Sequence, residues 1–164
     1  MSSKRLPRPD TTPAGRLDEA RLHDVLGYQI AQAAIVTTQA FSSAVGERFG
    51  LRPVEYTVLT LIAENPGGSA ARLARALAVT APNITMWIDR LESRGLVRRE
   101  QSTSDRRSLV LHATPEGQAV ARAATERILA AEREALSHLS VGERAILVEL
   151  LHKVACARRT ASER

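Results

Sequence analysis

The sequence predicts a mainly α-helical fold with one small β-hairpin, and three observations predict it. Residues 69–114 read as two short helices joined by a tight turn and followed by two short strands. Apolar residues recur at helical spacing on both sides of that segment, over residues 17–49 and from Pro115 onward. Arginine is placed unevenly. Residues 69–112 hold eight arginines against four acids, residues 1–16 hold four bases against one acid, and the remainder is net acidic.

In chain order, residues 1–16 carry Pro7, Pro9 and Pro13 among Ser, Thr and Gly, and are expected to form a disordered basic arm. Over residues 17–49, Leu22, Val25, Leu26, Ile30, Ala33, Val36, Ala40 and Phe41 outline one amphipathic helix. About 30 helical residues span roughly 45 Å, long for a helix packed inside one small domain. Tyr28, Gln29, Gln32, Thr37 and Thr38 are its polar positions, and either line a pocket or face solvent.

Ser69 is placed to cap the first short helix, whose Leu73, Ala74 and Leu77 form an apolar stripe. Ala78 and Val79 make the break. Thr80 is placed to cap the second helix, with Pro82 in its first turn, where a missing N–H costs little. On that helix Ile84, Trp87, Ile88 and Leu91 face inward, Asn83, Thr85, Met86 and Arg90 lie on or near the outer face, and Gly95 ends it. Residues 96–100 and 107–112 read as strands joined by a polar loop, 101–106. Thr114 and Pro115 open an Ala-rich helix reaching about Ser137. Ser140 and Glu143 form a capping box for a last helix striped by Leu147, Leu150, Leu151 and Val154.

A helix with its side chains fits the major groove of B-DNA. In a helix pair the first member crosses the backbone and the second reads base edges. A hairpin beside the pair can reach the adjacent minor groove, where narrow walls favour arginine. The candidates for DNA contact are therefore Ser69, Arg72, Thr80, Pro82, Asn83, Thr85, Met86 and Arg90 on the helices, with Ser104, Arg106 and Arg107 in the hairpin loop. Asn83 can pair bidentately with adenine, whereas Met86 offers only apolar contact, for instance to a thymine methyl. Arg72, Arg75, Arg94 and Arg98 either meet phosphate or are simply solvated. Asp89 stands apart, because a carboxylate on a DNA-facing helix repels phosphate unless it is paired.

From Leu51 to Gly117 the chain resembles the MarR family of winged helix-turn-helix regulators. The resemblance rests on Leu51-Arg52-Pro53-Val54-Glu55-Tyr56-Thr57-Val58-Leu59, Leu73-Ala74-Arg75, Asp89-Arg90-Leu91-Glu92, Gly95-Leu96-Val97-Arg98-Arg99, Asp105-Arg106-Arg107 and Thr114-Pro115-Glu116-Gly117, in this order and spacing. It implies a dimerisation helix at 17–49, a winged helix-turn-helix domain at 50–113, C-terminal dimerisation helices at 114–158 and a tail at 159–164. It implies an ion pair between Asp89 and Arg107 that fixes the hairpin on the helix, with Asp105 steadying Arg106. It further implies a homodimeric repressor on a pseudo-palindromic operator, released by a small aromatic or anionic ligand. Tyr28, Gln29, Gln32 and Thr37 are candidates to line that ligand's pocket. Met86 stands where the family often has a basic or polar residue, Trp87 where it has an aliphatic one, and Arg52 where it prefers a Thr or Ser cap. An activator or a constitutive architectural protein of the same fold is the alternative, and a helical protein-interaction module is the alternative from another class.

Composition agrees with a DNA-bound regulator. The 164 residues suffice for one domain with a real core, and the net charge of +5 points to a polyanionic partner. No apolar run is long enough for a membrane span and no leader pattern opens the chain, so a cytoplasmic, nucleoid-associated protein is expected. Cys156 is alone, which excludes an intramolecular disulfide and a Cys-rich zinc site. His23, His112, His138 and His152 fall in no metal-ligand spacing, and no HExxH, phosphate-binding loop or GxSxG occurs. No enzyme activity, cofactor or metal is expected.

Overall fold

The computed structural model describes residues 11–102 and 108–157. A short 3₁₀ turn, Ala20–Asp24, precedes α1 (Leu26–Phe41), which continues through a π-helical turn, Ser42–Gly46, and a last turn, Glu47–Phe49. Then come α2 (Pro53–Glu64), α3 (Ala70–Leu77), α4 (Ala81–Ser93), β1 (Val97–Gln101), β2 (Leu109–Ala113), α5 (Pro115–Ala135) and α6 (Val141–Cys156). The strands pair antiparallel, with Val97 opposite Ala113 and Arg99 opposite Leu111.

The first long helix expected from Leu17 does not start there. The chain from Thr11 to Asp18 doubles back on itself: the Thr12 N–H donates to the Leu17 carbonyl at 2.9 Å, and the Leu17 N–H to the Thr12 hydroxyl at 2.9 Å. Residues 11–16, expected to belong to a disordered arm, thus form a turn; residues 1–10 lie outside the described residues. Val25 is extended, which separates the 3₁₀ turn from α1. The cause is tertiary. Glu19 is 7% exposed and accepts from the Tyr28 hydroxyl at 2.7 Å, with His23 Nδ1 at 2.9 Å. These bonds hold the Glu19 carboxyl below its ordinary range, His23 contributing most and Tyr28 next. A continuous helix forgoes this arrangement, which an apolar pattern cannot encode.

Other ends follow local chemistry. Gly50, at φ 59°, closes the last turn after α1 in the left-handed region that glycine tolerates. Arg52 gives α2 no side-chain cap; its own N–H instead donates to Glu55 Oε2 at 3.0 Å. Ser69 and Ser140 accept from the N–H groups of Arg72 and Glu143, as capping chemistry predicts. Thr80 occupies the cap position of α4 without a side-chain cap bond, so that helix start relies on Pro82 and its neighbours. Gly95, at φ 71°, follows α4 as expected.

The core lies where α2, α4, α5 and the π-turn meet the hairpin. Leu59, Ile62, Ile84, Ile88, Leu91, Val45 and Val58 are fully buried there, and Trp87 packs half-buried against them. Gly117 makes the tightest approach: a Cβ on it would lie 1.9 Å from the Leu96 carbonyl oxygen. Thr114 locks the same junction, its N–H donating to the Leu96 carbonyl at 3.0 Å and its hydroxyl to the Gly95 carbonyl at 2.7 Å.

Candidate nucleic-acid interface

The helix pair presents its polar side on the outer surface of this core. Pro82, Asn83, Thr85 and Met86 are exposed on the first turns of α4, while Ile84 and Ile88 point inward and anchor them. Pro82, Thr85, Met86, Asp89 and Arg90 line one broad, open depression. Arg72 and Arg75 are exposed on α3 beside it, and neither forms an ion pair among the described residues. Ser69 uses its hydroxyl as a cap, and Thr80 is exposed at the entrance to α4.

Several arginines counted toward a positive face are engaged within the protein. Arg90 donates from Nη1 to the buried Glu55 carboxylate at 3.3 Å, tying α4 to α2. Arg94 grips the end of the first helical segment, donating to the Phe49 carbonyl at 2.7 Å and the Gly50 carbonyl at 3.0 Å. Arg98 pairs with Glu100 along β1. Fewer of these guanidinium groups are therefore free to meet a partner than the sequence count suggests.

Asp89 has a partner. Arg99, on β1, pairs with both Asp89 and Glu92 of α4, and its backbone N–H donates to Glu92 Oε1 at 3.2 Å. One guanidinium thus bolts the hairpin to the second helix and neutralises the acids on its outer side. Sequence reasoning missed Arg99 in this role. The signal was the alternation of β1, which puts Arg99 and Arg98 on opposite faces. The expected pair of Asp89 with Arg107, and Ser104, Asp105 and Arg106, lie outside the described residues. The other edge of the hairpin is held by the loop before α3: the Leu111 N–H donates to the Gly68 carbonyl and the Gly67 N–H to the Leu111 carbonyl, both at 2.9 Å.

A cleft opens on the far side of α2. Thr37, Thr38 and Phe41 of α1, Pro53, Tyr56 and Thr57 of α2, and Thr125, Ile128, Leu129 and Glu132 of α5 enclose about 380 Å³. Of the α1 residues that the sequence offers for a pocket, Thr37 and Thr38 line this cleft. Tyr28 and Gln29 are drawn instead toward Glu19 and His23, Gln29 donating to the His23 carbonyl at 2.8 Å. Gln32 is half-buried on α1 and is not part of the lining.

With this geometry in place, comparison with known proteins identifies the architecture. The model of the MarR family matches residues 51–109. A putative transcriptional regulatory protein for the hcr operon of Thauera aromatica is 31% identical over 148 residues, 90% of this chain and 89% of that protein. The chain belongs to the MarR family. Its members in this comparison are transcriptional regulators, and the fold is their winged helix-turn-helix. The structure of the transcriptional repressor CouR bound to a 23-mer DNA duplex superposes with a TM-score of 0.77 at 31% identity, covering 85% of this chain and 98% of that one. A further CouR structure, from Rhodococcus jostii RHA1, holds p-coumaroyl-CoA; it is 27% identical with a TM-score of 0.73 over 84% of this chain and 96% of that one. A MarR family protein of Mycobacterium tuberculosis in complex with p-aminosalicylic acid is 30% identical, with a TM-score of 0.64 over 80% of this chain and 98% of that one. No helix among the described residues is long and apolar enough to cross a membrane.

Proposed function

We propose that this regulator is a homodimeric, sequence-specific repressor that holds a pseudo-palindromic operator until a small ligand releases it. The observation that carries the reading is the state of the helical ends. Among the described residues α6 buries none, leaving Val141, Ile146, Val148, Leu150 and Val154 exposed, and α1 exposes Leu26, Ile30, Ile35 and Val36. Apolar surface of this extent in water is unfavourable and marks an interface. A second copy related by a two-fold axis covers it and sets two α4 helices on two half-sites.

In this reading Pro82, Asn83, Thr85 and Met86 meet base edges, Ser69, Arg72 and Thr80 the backbone, and Ser104, Arg106 and Arg107 the adjacent minor groove, while Arg90, expected at the backbone, is held by Glu55. Asp89, through Arg99, fixes the angle of the wing. Release is supported by relatives caught with DNA in one case and small molecules in others. A ligand in the cleft between α1, α2 and α5 need only favour a dimer geometry whose recognition helices miss the half-site spacing. The protein then acts in the cytoplasm, on the nucleoid.

The test is footprinting of the full-length protein on the DNA upstream of its own gene. Two protected half-sites about 34–36 Å apart are expected, with affinity falling steeply as salt rises. Arg106→Ala or Arg107→Ala is expected to cost about 1–3 kcal/mol of binding. Binding without sequence preference contradicts the reading.

A further inference from the structure

We infer that the cleft between α1, α2 and α5 selects an uncharged or cationic aromatic ligand that donates hydrogen bonds, and rejects aromatic carboxylates. The inference rests on the ligand-release reading above and decides between the two effector classes that the family resemblance allows.

The lining settles the polarity. A threonine or tyrosine hydroxyl has one proton to donate and lone pairs that accept. Thr57 donates its proton to the Pro53 carbonyl at 2.9 Å, and Thr37 donates to the Ala34 carbonyl at 3.3 Å. Thr125 donates to the Ala121 carbonyl at 2.8 Å, so the 2.9 Å bond between Tyr56 and Thr125 takes its proton from Tyr56. Four hydroxyls are thereby turned into acceptors, and Thr38 keeps the one hydroxyl of the lining with no such bond among the described residues.

Among the described residues that line the cleft, Glu132 carries the only charge, and it forms no ion pair among them. Lys, Arg and His are absent from the lining residues; Arg133 and Arg144 line a separate depression between α5 and α6, which Glu132 also borders. A ligand carboxylate here would meet lone pairs and a like charge, with no cation among the described lining residues to offset its desolvation. An ammonium or hydroxyl meets acceptors. The floor suits a ring: Phe41 and Tyr56 pack at 5.7 Å between centroids with planes tilted by 52°, beside Ile128 and Leu129. The volume of about 380 Å³ falls in the range of small-molecule sites.

Three probes of matched shape test this on the full-length protein: tyramine, 4-hydroxybenzyl alcohol and 4-hydroxybenzoate. Calorimetric titration should show tyramine binding tightest, the alcohol next, and the benzoate at least tenfold weaker than tyramine. Glu132→Gln should erase the advantage of the amine over the alcohol, its thermal unfolding confirming that it folds. Should that variant not fold, the order of the three probes on the unmodified protein still decides. Equal or tighter binding of 4-hydroxybenzoate, or binding of none of the three, overturns the inference. The ligand-release reading fails separately, if tyramine binds and occupancy of the operator DNA stays unchanged.

Discussion

The winged-helix lobe and the helical ends are both rich in aliphatic residues, yet only the lobe buries them within one chain. Ile88 on α4 is 0% exposed, whereas Leu150 on α6 is 53% exposed. The lobe is closed by contacts remote in sequence: Arg90 to Glu55, Arg94 to the end of the first helical segment, and Arg99 to Asp89 and Glu92. No described element of the same chain closes over α6. The lobe buries its aliphatic residues by itself, whereas the ends leave theirs on the surface, as the proposed dimer requires.

Removing side-chain volume from each region should have different consequences. Ile88→Ala leaves a cavity beneath the reading face and should destabilise the protein by about 2–5 kcal/mol in denaturant titration. Leu150→Ala should do little to the lobe and instead raise the protein concentration at which the dimer forms, as read by sedimentation across a dilution series. Gly117→Ala comes next. Its methyl group meets the Leu96 carbonyl rather than a flexible side chain, so the hairpin junction must move, at a cost of about 1–3 kcal/mol.

A smaller effect probes the bolt between the two parts of the reading head. Asp89→Ala removes a negative charge from the proposed DNA-facing side and is nonetheless expected to weaken operator binding about fivefold, or about 1 kcal/mol, the scale of a partly exposed ion pair. Arg99→Ala should do the same, and the double variant should lose less than the sum. Tighter operator binding by Asp89→Ala sinks the strut. The smallest effect belongs to the N-terminal turn. Tyr28→Phe removes a bond that holds the Glu19 carboxyl below its ordinary range. A carboxyl lowered in the folded state stabilises above its unfolded value, and that contribution disappears as pH falls through the folded value. The difference in melting temperature from the unmodified protein should therefore be present at neutral pH and vanish in acid.

The same contrast explains what was legible in the sequence. Helix spacing, the Ser69 and Ser140 caps and the α4 stripe were readable because each depends on neighbours within a few residues. The start of α1 was not, because Glu19 is held by Tyr28 across the extended Val25 and no apolar period records that bond. The arginines divide likewise. Their concentration in one segment was visible, but which of them face outward depends on partners far along the chain, Glu55 for Arg90 and the Phe49 and Gly50 carbonyls for Arg94. The sequence marks Asp89 as needing a cation, and Arg99, ten residues along, supplies one.

Whether the exposed helical ends make the symmetric dimer on which operator recognition depends is tested most directly on α6. The full-length Leu147→Glu, Leu151→Glu double variant, studied by sedimentation and by titration with operator DNA, should be a folded monomer with an intact lobe. Its operator affinity should fall at least a hundredfold. A variant that stays dimeric, or a monomer that binds the operator as tightly as the unmodified protein, contradicts the account.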